Sequence, residues 1–544
     1  MTSTQDPMAA YARLVGPGGP FEMVEEDVLG NRLPVYRNRA KALHEILAES
    51  AKHGDRTYIA TADEQVSYAE HASRVSSLAK ALAEEHGVKK GDRVVISGAN
   101  SIEWVESFWA VVALGAIAVA FNAWWSDREV EHGIELTTPM LAVADAKRTA
   151  ALAQHGVPVL SMEEDVPALR AAHPEAPLPS GDVDEDDPAV LIFTSGTSGK
   201  PKGATHSHRN LLAVVEYHRM NDELMAAFGD PTDARDRSYL LASPLFHIAS
   251  LHNLVVPRLA TGSKVAMNVG SFDVERIYAL IEKERVTNWG AVPTMASRML
   301  DSAVSDKYDL SSLTAFSLAS APSSESLKQK LRENLPFAAA LVDSYGLTET
   351  CTGVATATPA DLAESPGTLG RPSYGVQLEI RDPMDRPLGP GQEGEVCVRS
   401  TYNMLGYWRN EEATHDTIRE DGWLHTGDLG ELDEQGRLRL SSRRSDLIIR
   451  GGENVYPVEV EHVLTDHPDV IECMVFGVPH DDLGQEVSAV VVHGENAPTV
   501  EELTAYVKQA LAYFKVPVHW HLTTTPLVRN ATGKVARAAV LADV

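Results

Sequence analysis

Thr194-Ser195-Gly196-Thr197-Ser198-Gly199-Lys200-Pro201-Lys202-Gly203 is the stretch that decides how this 544-residue chain is read. It follows an apolar run at 189–193 and packs three glycines, four hydroxyls and two lysines into ten residues. Glycines let backbone N–H groups turn inward on an anion, hydroxyls add donors and lysines add charge. Together they suit a polyphosphate, whereas the bland alternative is a flexible surface turn. The stretch is not a Walker A loop, which needs four residues between its first Gly and its Gly-Lys pair. Here only Thr197 and Ser198 separate Gly196 from Gly199-Lys200, and Pro201 follows, so an ordinary P-loop NTPase is disfavoured.

On either side of this loop the chain alternates helical and extended patterns. Residues 43–52 and 68–86 read as amphipathic helices, Arg93–Ser97 as a buried strand, 104–114 as a helix and 116–121 as extended. Such alternation predicts βαβ units and a parallel sheet, and it resumes over 239–342. An acidic run, Asp184-Glu185-Asp186-Asp187, reads as a solvated loop rather than a cation site. From Gly367 the texture changes to short runs punctuated by Gly and Pro (376–380, Gly394–Arg399, 437–441), which predicts antiparallel strands. Gly451-Gly452 then reads as a hinge, Pro457 as a helix start before 458–464, and 471–477, 487–492, 500–511 and 518–524 as strand, strand, helix and strand. The expected fold class is therefore α/β. A large N-terminal lobe of αβ-layered subdomains plus a β-rich subdomain is joined to a small, mobile α+β C-terminal domain. The expected boundaries are 1–441, a hinge at 442–452, and 453–544.

Composition narrows the class of partner. With Lys+Arg 48 against Asp+Glu 77, the net charge is −29, which argues against nucleic acid or an anionic membrane as partner. Small anions remain open, because a few local cations and N–H groups suffice for them. Three scattered cysteines, Cys351, Cys397 and Cys473, form no disulfide framework and no zinc motif. The N-terminus lacks a signal-peptide layout. The longest apolar run, 108–121, has 14 residues, short of the ~20 that span a bilayer; it reads as a buried helix running into a strand.

The loop at 194–203 resembles the phosphate loop of the adenylate-forming superfamily of acyl- and aryl-CoA synthetases, luciferases and peptide-synthetase adenylation domains. Further motifs of that superfamily follow in order. Ser344-Tyr345-Gly346-Leu347-Thr348-Glu349-Thr350 resembles the second nucleotide motif. That likeness implies Tyr345 stacking on adenine, Thr348 at the α-phosphate and Glu349 holding Mg²⁺. Read alone, the stretch is a strand-to-helix turn with Glu349 exposed. Gly422-Trp423-Leu424-His425-Thr426-Gly427-Asp428 resembles the motif whose Asp accepts both ribose hydroxyls, although an Asp after Gly is more often a turn residue. Ser320-Ala321-Pro322 stands where the family has Gly-Ala-Pro beside adenine, and Ser320 is a departure. The segment from Ser442-Arg443-Arg444-Ser445-Asp446 to Gly451-Gly452 resembles the interdomain motif. It implies Arg443 at ribose or phosphate, Asp446 as the hinge and Gly451-Gly452 on the coenzyme A side; Ser442 and Ser445 replace the usual Gly and Lys.

Pro526-Leu527-Val528-Arg529-Asn530-Ala531-Thr532-Gly533-Lys534 resembles the last motif, which makes Lys534 the adenylation lysine; its bland reading is one terminal lysine among many. Phe246-His247 occupies the aromatic motif of the acyl pocket, where amino-acid-activating members carry Asp, so an amino acid substrate is disfavoured. His247 is read either as a gate or as a packed core histidine. Gly290, Ala291, Val292, Met295, Ala319, Tyr345 and Leu347 are the remaining pocket candidates, small or apolar and suited to a hydrophobic tail. Trp124-Trp125 reads as core packing over substrate stacking.

The resemblance implies an ATP-dependent carboxylic acid–CoA ligase using ATP, Mg²⁺ and coenzyme A on a fatty, aryl or arylalkanoic acid. It also implies a cytoplasmic setting and no nucleic acid or transmembrane segment, and it is compatible with a homodimer. Only ten residues follow Lys534, which favours free coenzyme A over an attached carrier domain. An acyl-AMP ligase loading a carrier protein, a luciferase-like oxidase and a silent nucleotide-binding scaffold are the competing readings.

Overall fold

Val94, Val95 and Ile96 are fully buried although they alternate sides of one strand. Val94 and Ile96 enter one core and Val95 enters another, as a strand covered by helices on both faces requires. This strand, Arg93–Ser97, is inside a seven-stranded sheet of order 406–407, 202–207, 188–194, 117–120, 93–97, 141–144, 159–161. Its central strands are parallel. A nine-stranded sheet runs in the order 371–372, 353–357, 342–346, 315–318, 288–291, 238–241, 264–267, 57–60, 65–67. Helices Leu43–Ser50, Tyr68–Glu84, Ile102–Ala113 and His208–Ala227 fill the layer between the two sheets, and their apolar faces share one core with residues of both. Further helices cover the outer faces, giving α–β–α–β–α layers. The computed structural model describes residues 7–194, 200–228, 230, 232–300, 302, 307–318, 323, 325–339, 341–530 and 533–542.

The expected antiparallel strands form a four-stranded sheet, 377–381, 394–399, 424–432, 438–443. A separate C-terminal sheet joins 453–455, 448–450, 484–493 and 470–480, with 519–523 alongside 484–493. Helix Pro457–Thr465 opens on Pro at its first position, where a missing N–H costs nothing, and packs with Val500–Ala510 on this sheet. Among the described residues, no helix is long and apolar enough to cross a membrane. The apolar run at 108–121 is the end of a helix followed by strand Ile117–Ala120, as expected.

Three local readings change. The acidic run is an ion-pair node, not a solvated loop. Glu185 pairs with Arg39 at 2.9 Å, Lys41 at 2.9 Å and Arg209 at 3.0 Å, while Asp186 meets Arg209 and Asp187 meets Lys90. The Arg39 side chain is only 3% exposed, so its buried charge is compensated by Glu185 and by Glu26 at 2.8 Å, a long-range requirement that four adjacent acids do not advertise. Trp125 packs against Phe121 and Phe193 as read, but Trp124 is 62% exposed. The connection between the two bodies is shorter than 442–452. Strand Leu438–Arg443 belongs to the four-stranded sheet and Ile448–Arg450 to the C-terminal one, leaving 444–447 between them. Gly451 and Gly452, with φ 60 and 88, make the tight turn to Glu453–Val455 inside the small body, so they are a hairpin and not the link.

Candidate active site

Strand Val342–Gly346 ends in a short 3-10 turn, Thr348–Thr350. A Cβ on Gly346 would lie 2.5 Å from the Thr352 carbonyl oxygen, so only glycine lets the chain fold back there. This geometry sets Tyr345 at the strand end and Glu349 on the turn. The buried Tyr345 hydroxyl donates to Asp428 Oδ2 at 2.6 Å. On the neighbouring sheet Asp428 faces Arg443 in register, and Arg443 Nε lies 3.0 Å from Asp428 Oδ1. Asp428 is 4% exposed. Burial raises its pKa, and Arg443 and the Tyr345 hydroxyl oppose the rise. The strand before it is braced from behind, where Glu395 accepts from the Gly427 N–H at 3.0 Å and contacts His425 Nδ1 at 3.1 Å.

Glu349 is not an idle turn residue. The Tyr407 hydroxyl donates to its Oε1 at 2.7 Å, and the Lys202 ammonium sits 4.2 Å above the Tyr407 ring. Tyr407 reaches this position because Gly406–Tyr407 pairs with strand Lys202–Ser207. Nothing local in the sequence marks that long-range pairing, so Tyr407, like Glu395 and His425, escaped sequence reasoning. A carboxylate fixed in this way is a hard oxygen donor of the kind Mg²⁺ takes together with phosphate oxygens and water. Thr194 Oγ1, at the head of the phosphate loop, is buried with no hydrogen-bond partner among the described residues; a phosphate oxygen would satisfy it. Ser195, Gly196, Thr197, Ser198 and Gly199 lie outside the described residues, as do Ala319, Ser320, Ala321 and Pro322. Lys200 is exposed just after the loop, and Lys202 opens the next strand.

Lys534 arrives from the C-terminal body. Gly533, at φ 80, turns the chain there, and a Cβ on it would lie 2.8 Å from Thr294 Oγ1 of the large lobe. The lysine keeps solvent access but sits in a cleft dense enough that desolvation lowers its pKa. Arg443 lowers it further, while Asp428 and Glu349 pull it back up. His247 is close enough to feel Lys534, and burial holds its pKa down to about 3, so its imidazole is neutral. Its ring packs beside Phe246 at 5.3 Å. Thr348 is on the same turn as Glu349.

The pocket candidates divide. On strand Asn288–Ala291, Gly290 faces Ser317 on the open side, whereas Ala291 is buried with Trp289 in the core beneath the sheet. Strand alternation therefore withdraws the Ala291 side chain from the site. Met295 packs against that same core. Val292 adjoins Gly533, and Tyr345 and Leu347 share an apolar cluster. Asp446 is in the 444–447 connection, 3.6 Å from Arg537.

Comparison with known proteins places the chain in a family. The family model for the AMP-binding enzyme matches residues 47–408, and the model for the AMP-binding enzyme C-terminal domain matches 459–534. The chain belongs to this family, within the adenylate-forming superfamily. It is 34% identical to a feruloyl-CoA synthase of Amycolatopsis sp over 480 residues, covering 87% of this chain and 93% of that one. It is 31% identical to the long-chain-fatty-acid–CoA ligase FadD13 of Mycobacterium tuberculosis, covering 86% and 90%. Among solved structures, o-succinylbenzoate CoA synthetase from Bacillus subtilis is similar in two complexes. With its acyl-adenylate intermediate the TM-score is 0.81 at 30% identity, covering 92% of this chain and 98% of that one. With ATP and a magnesium ion it is 0.80 at 31%, covering 91% and 99%.

Proposed function

We propose that the chain is an ATP-dependent carboxylic acid–CoA ligase acting on an aryl or fatty acid in the cytoplasm. The observation that carries this is the meeting of Tyr345, Glu349, Asp428, Arg443 and Lys534 at one cleft, from segments almost 200 residues apart and from both bodies. A carboxylate oxygen attacks the α-phosphorus of ATP, the bond to pyrophosphate breaks, and an acyl-adenylate forms. The thiol sulfur of coenzyme A then attacks the acyl carbon and AMP leaves.

Each group has a task in that sequence. Tyr345 stacks on adenine while Asp428, held by Tyr345 and Arg443, accepts the ribose hydroxyls. The loop at 194–200, with Lys202, cradles the phosphates, and Thr348 donates to the α-phosphate. Glu349 would hold Mg²⁺, which when bound would supply neutralisation of the phosphate charge. The Lys534 ammonium bridges the two approaching anions, an electrostatic and positioning role. Neutral His247, together with Gly290, Val292 and Leu347, borders the acyl pocket. With Lys534 at the cleft, the present orientation suits adenylation. Rotation at 444–447 about Asp446 would withdraw Lys534 and turn the Gly451-Gly452 hairpin inward for the thiol step.

Tyr407 is a positioning residue for Glu349. Tyr407→Phe removes one hydrogen bond to a charged group, about 1.5–3 kcal/mol. The Mg²⁺ concentration for half-maximal adenylation is then expected to rise roughly tenfold, with the KM for the acid unchanged; a Mg²⁺ requirement like that of the native enzyme would remove Tyr407 from this role.

The substrate class is tested by acid-dependent AMP release with coenzyme A across cinnamates, benzoates, arylalkanoates and fatty acids of graded length. An acyl-CoA ligase yields equal AMP and acyl-CoA with at least one class. AMP formed without acyl-CoA, with the acyl group transferred to a carrier-protein thiol instead, would favour the carrier-loading alternative.

A further inference from the structure

His206, His252 and Cys351 meet behind the cleft, each with no solvent exposure. Their ligand-type atoms all lie within 4.8 Å of one another. Cys351 Sγ is 3.3 Å from His252 Nδ1, and the two imidazoles pack edge-on with centroids 4.9 Å apart. The Thr348 backbone lies within hydrogen-bonding reach of the His206 ring, which leaves one nitrogen of His206 and Nε2 of His252 without a hydrogen-bond partner among the described residues. A buried polar group left unpaired costs about 1–3 kcal/mol, so two such nitrogens in one place call for a reason.

The backbone is unusual at two of these three residues. His252 lies in a π-helix, Leu251–Val255, a rare form that recurs at functional sites. Cys351 has φ 62 without being glycine, a conformation that persists only where its surroundings enforce it. Simple apolar packing needs neither feature, and a leucine or phenylalanine would fill such a space without orphaned nitrogens.

We propose that His206, His252 and Cys351 bind one thiophilic d¹⁰ cation, Zn²⁺ or Cu⁺, through two imidazole nitrogens and a thiolate. Thiolate and imidazole select such ions over Mg²⁺, which takes oxygen donors, and the cluster contains no carboxylate. It is therefore a separate site from Glu349. Binding releases the Cys351 thiol proton to solvent. The three ligands stand at positions 206, 252 and 351, and Lys202, His247 and Glu349 of the cleft precede them by only a few residues on the same segments. A bound ion ties these segments together from behind and stiffens the turn that carries Glu349.

The test uses the full-length protein, stripped with a chelator and titrated with Co²⁺, whose bond to thiolate gives a charge-transfer absorption. One equivalent is expected to bind with that absorption. Cys351→Ser should abolish it, while Cys397→Ser and Cys473→Ser keep it. Competition against a chromophoric chelator then separates Zn²⁺ from Cu⁺. His252→Gln should weaken binding beyond the ~10–100-fold that even an outer-shell change causes. The preferred ion should raise the Tm of the native chain and not that of Cys351→Ser. Absorption that persists in folded Cys351→Ser, or Zn²⁺ and Cu⁺ uptake by the native chain no greater than by His252→Gln, would overturn the site.

Discussion

Lys534→Ala is expected to slow adenylation by roughly 100- to 1,000-fold, the scale on which removal of one preorganised charge-stabilising group acts. Coenzyme A transfer from a preformed acyl-adenylate should stay within a few-fold of the native rate. The split follows from the proposed rotation at 444–447, because Lys534 lies close to Asp428, Glu349 and Arg443 with the C-terminal body as it stands. The direction of the pKa shift adds a pH signature. Desolvation and Arg443 favour the neutral amine, so the ammonium proposed to bridge the two anions is lost on raising the pH, and below the ordinary lysine value. Adenylation should show an alkaline limb there, and Lys534→Arg, whose guanidinium does not deprotonate, should remove the limb even if its rate is low. Equal losses in both half-reactions would point to a folding role for the lysine instead.

The second large effect belongs to Asp428. Asp428→Asn keeps the shape but exchanges a charged acceptor for a neutral one, weakening its bonds to the Tyr345 hydroxyl and to Arg443. Hydrogen bonds to charged groups contribute about 1.5–3 kcal/mol each. The KM for ATP is therefore expected to rise roughly 10- to 100-fold, while the KM for the carboxylic acid stays close to native. Because burial raises the Asp428 pKa, the carboxylate protonates above the usual aspartate range as the pH falls. ATP affinity should drop on acidification through that raised value. Arg443 opposes the rise, so Arg443→Ala should move this acid limb to still higher pH. A limb that stays fixed in Arg443→Ala would separate the two residues.

Strands covered on both faces were easily read from sequence. Arg93–Ser97 is apolar at every inward and outward position but its ends, and the chain folds there as expected. Proline at 457 marks a helix start for a purely local reason. Tyr345, Glu349, Asp428 and Lys534 could be named as candidates because each falls in a short motif that resembles one of the superfamily's, and the structure brings them to one cleft. What stayed hidden depends on partners far away in the chain. Tyr407 faces Glu349 only because a two-residue strand pairs with 204–205. Glu185 is an internal ion-pair centre only because Arg39 and Arg209 converge on it. Gly451-Gly452 has a hinge's composition, yet sheet pairing on either side turns it into a hairpin and leaves the link to 444–447. Ala291 has the size of a pocket residue, but strand alternation points it into the core.

The central claim is that a carboxylate oxygen of the substrate attacks the α-phosphorus of ATP before any thiol acts. It is tested most directly by running one turnover with a carboxylic acid labelled with oxygen-18 and analysing the products by mass spectrometry. The expected result is one labelled oxygen in AMP, none in pyrophosphate, and a thioester that keeps the other. Label in phosphate or pyrophosphate, or AMP without label, would contradict it.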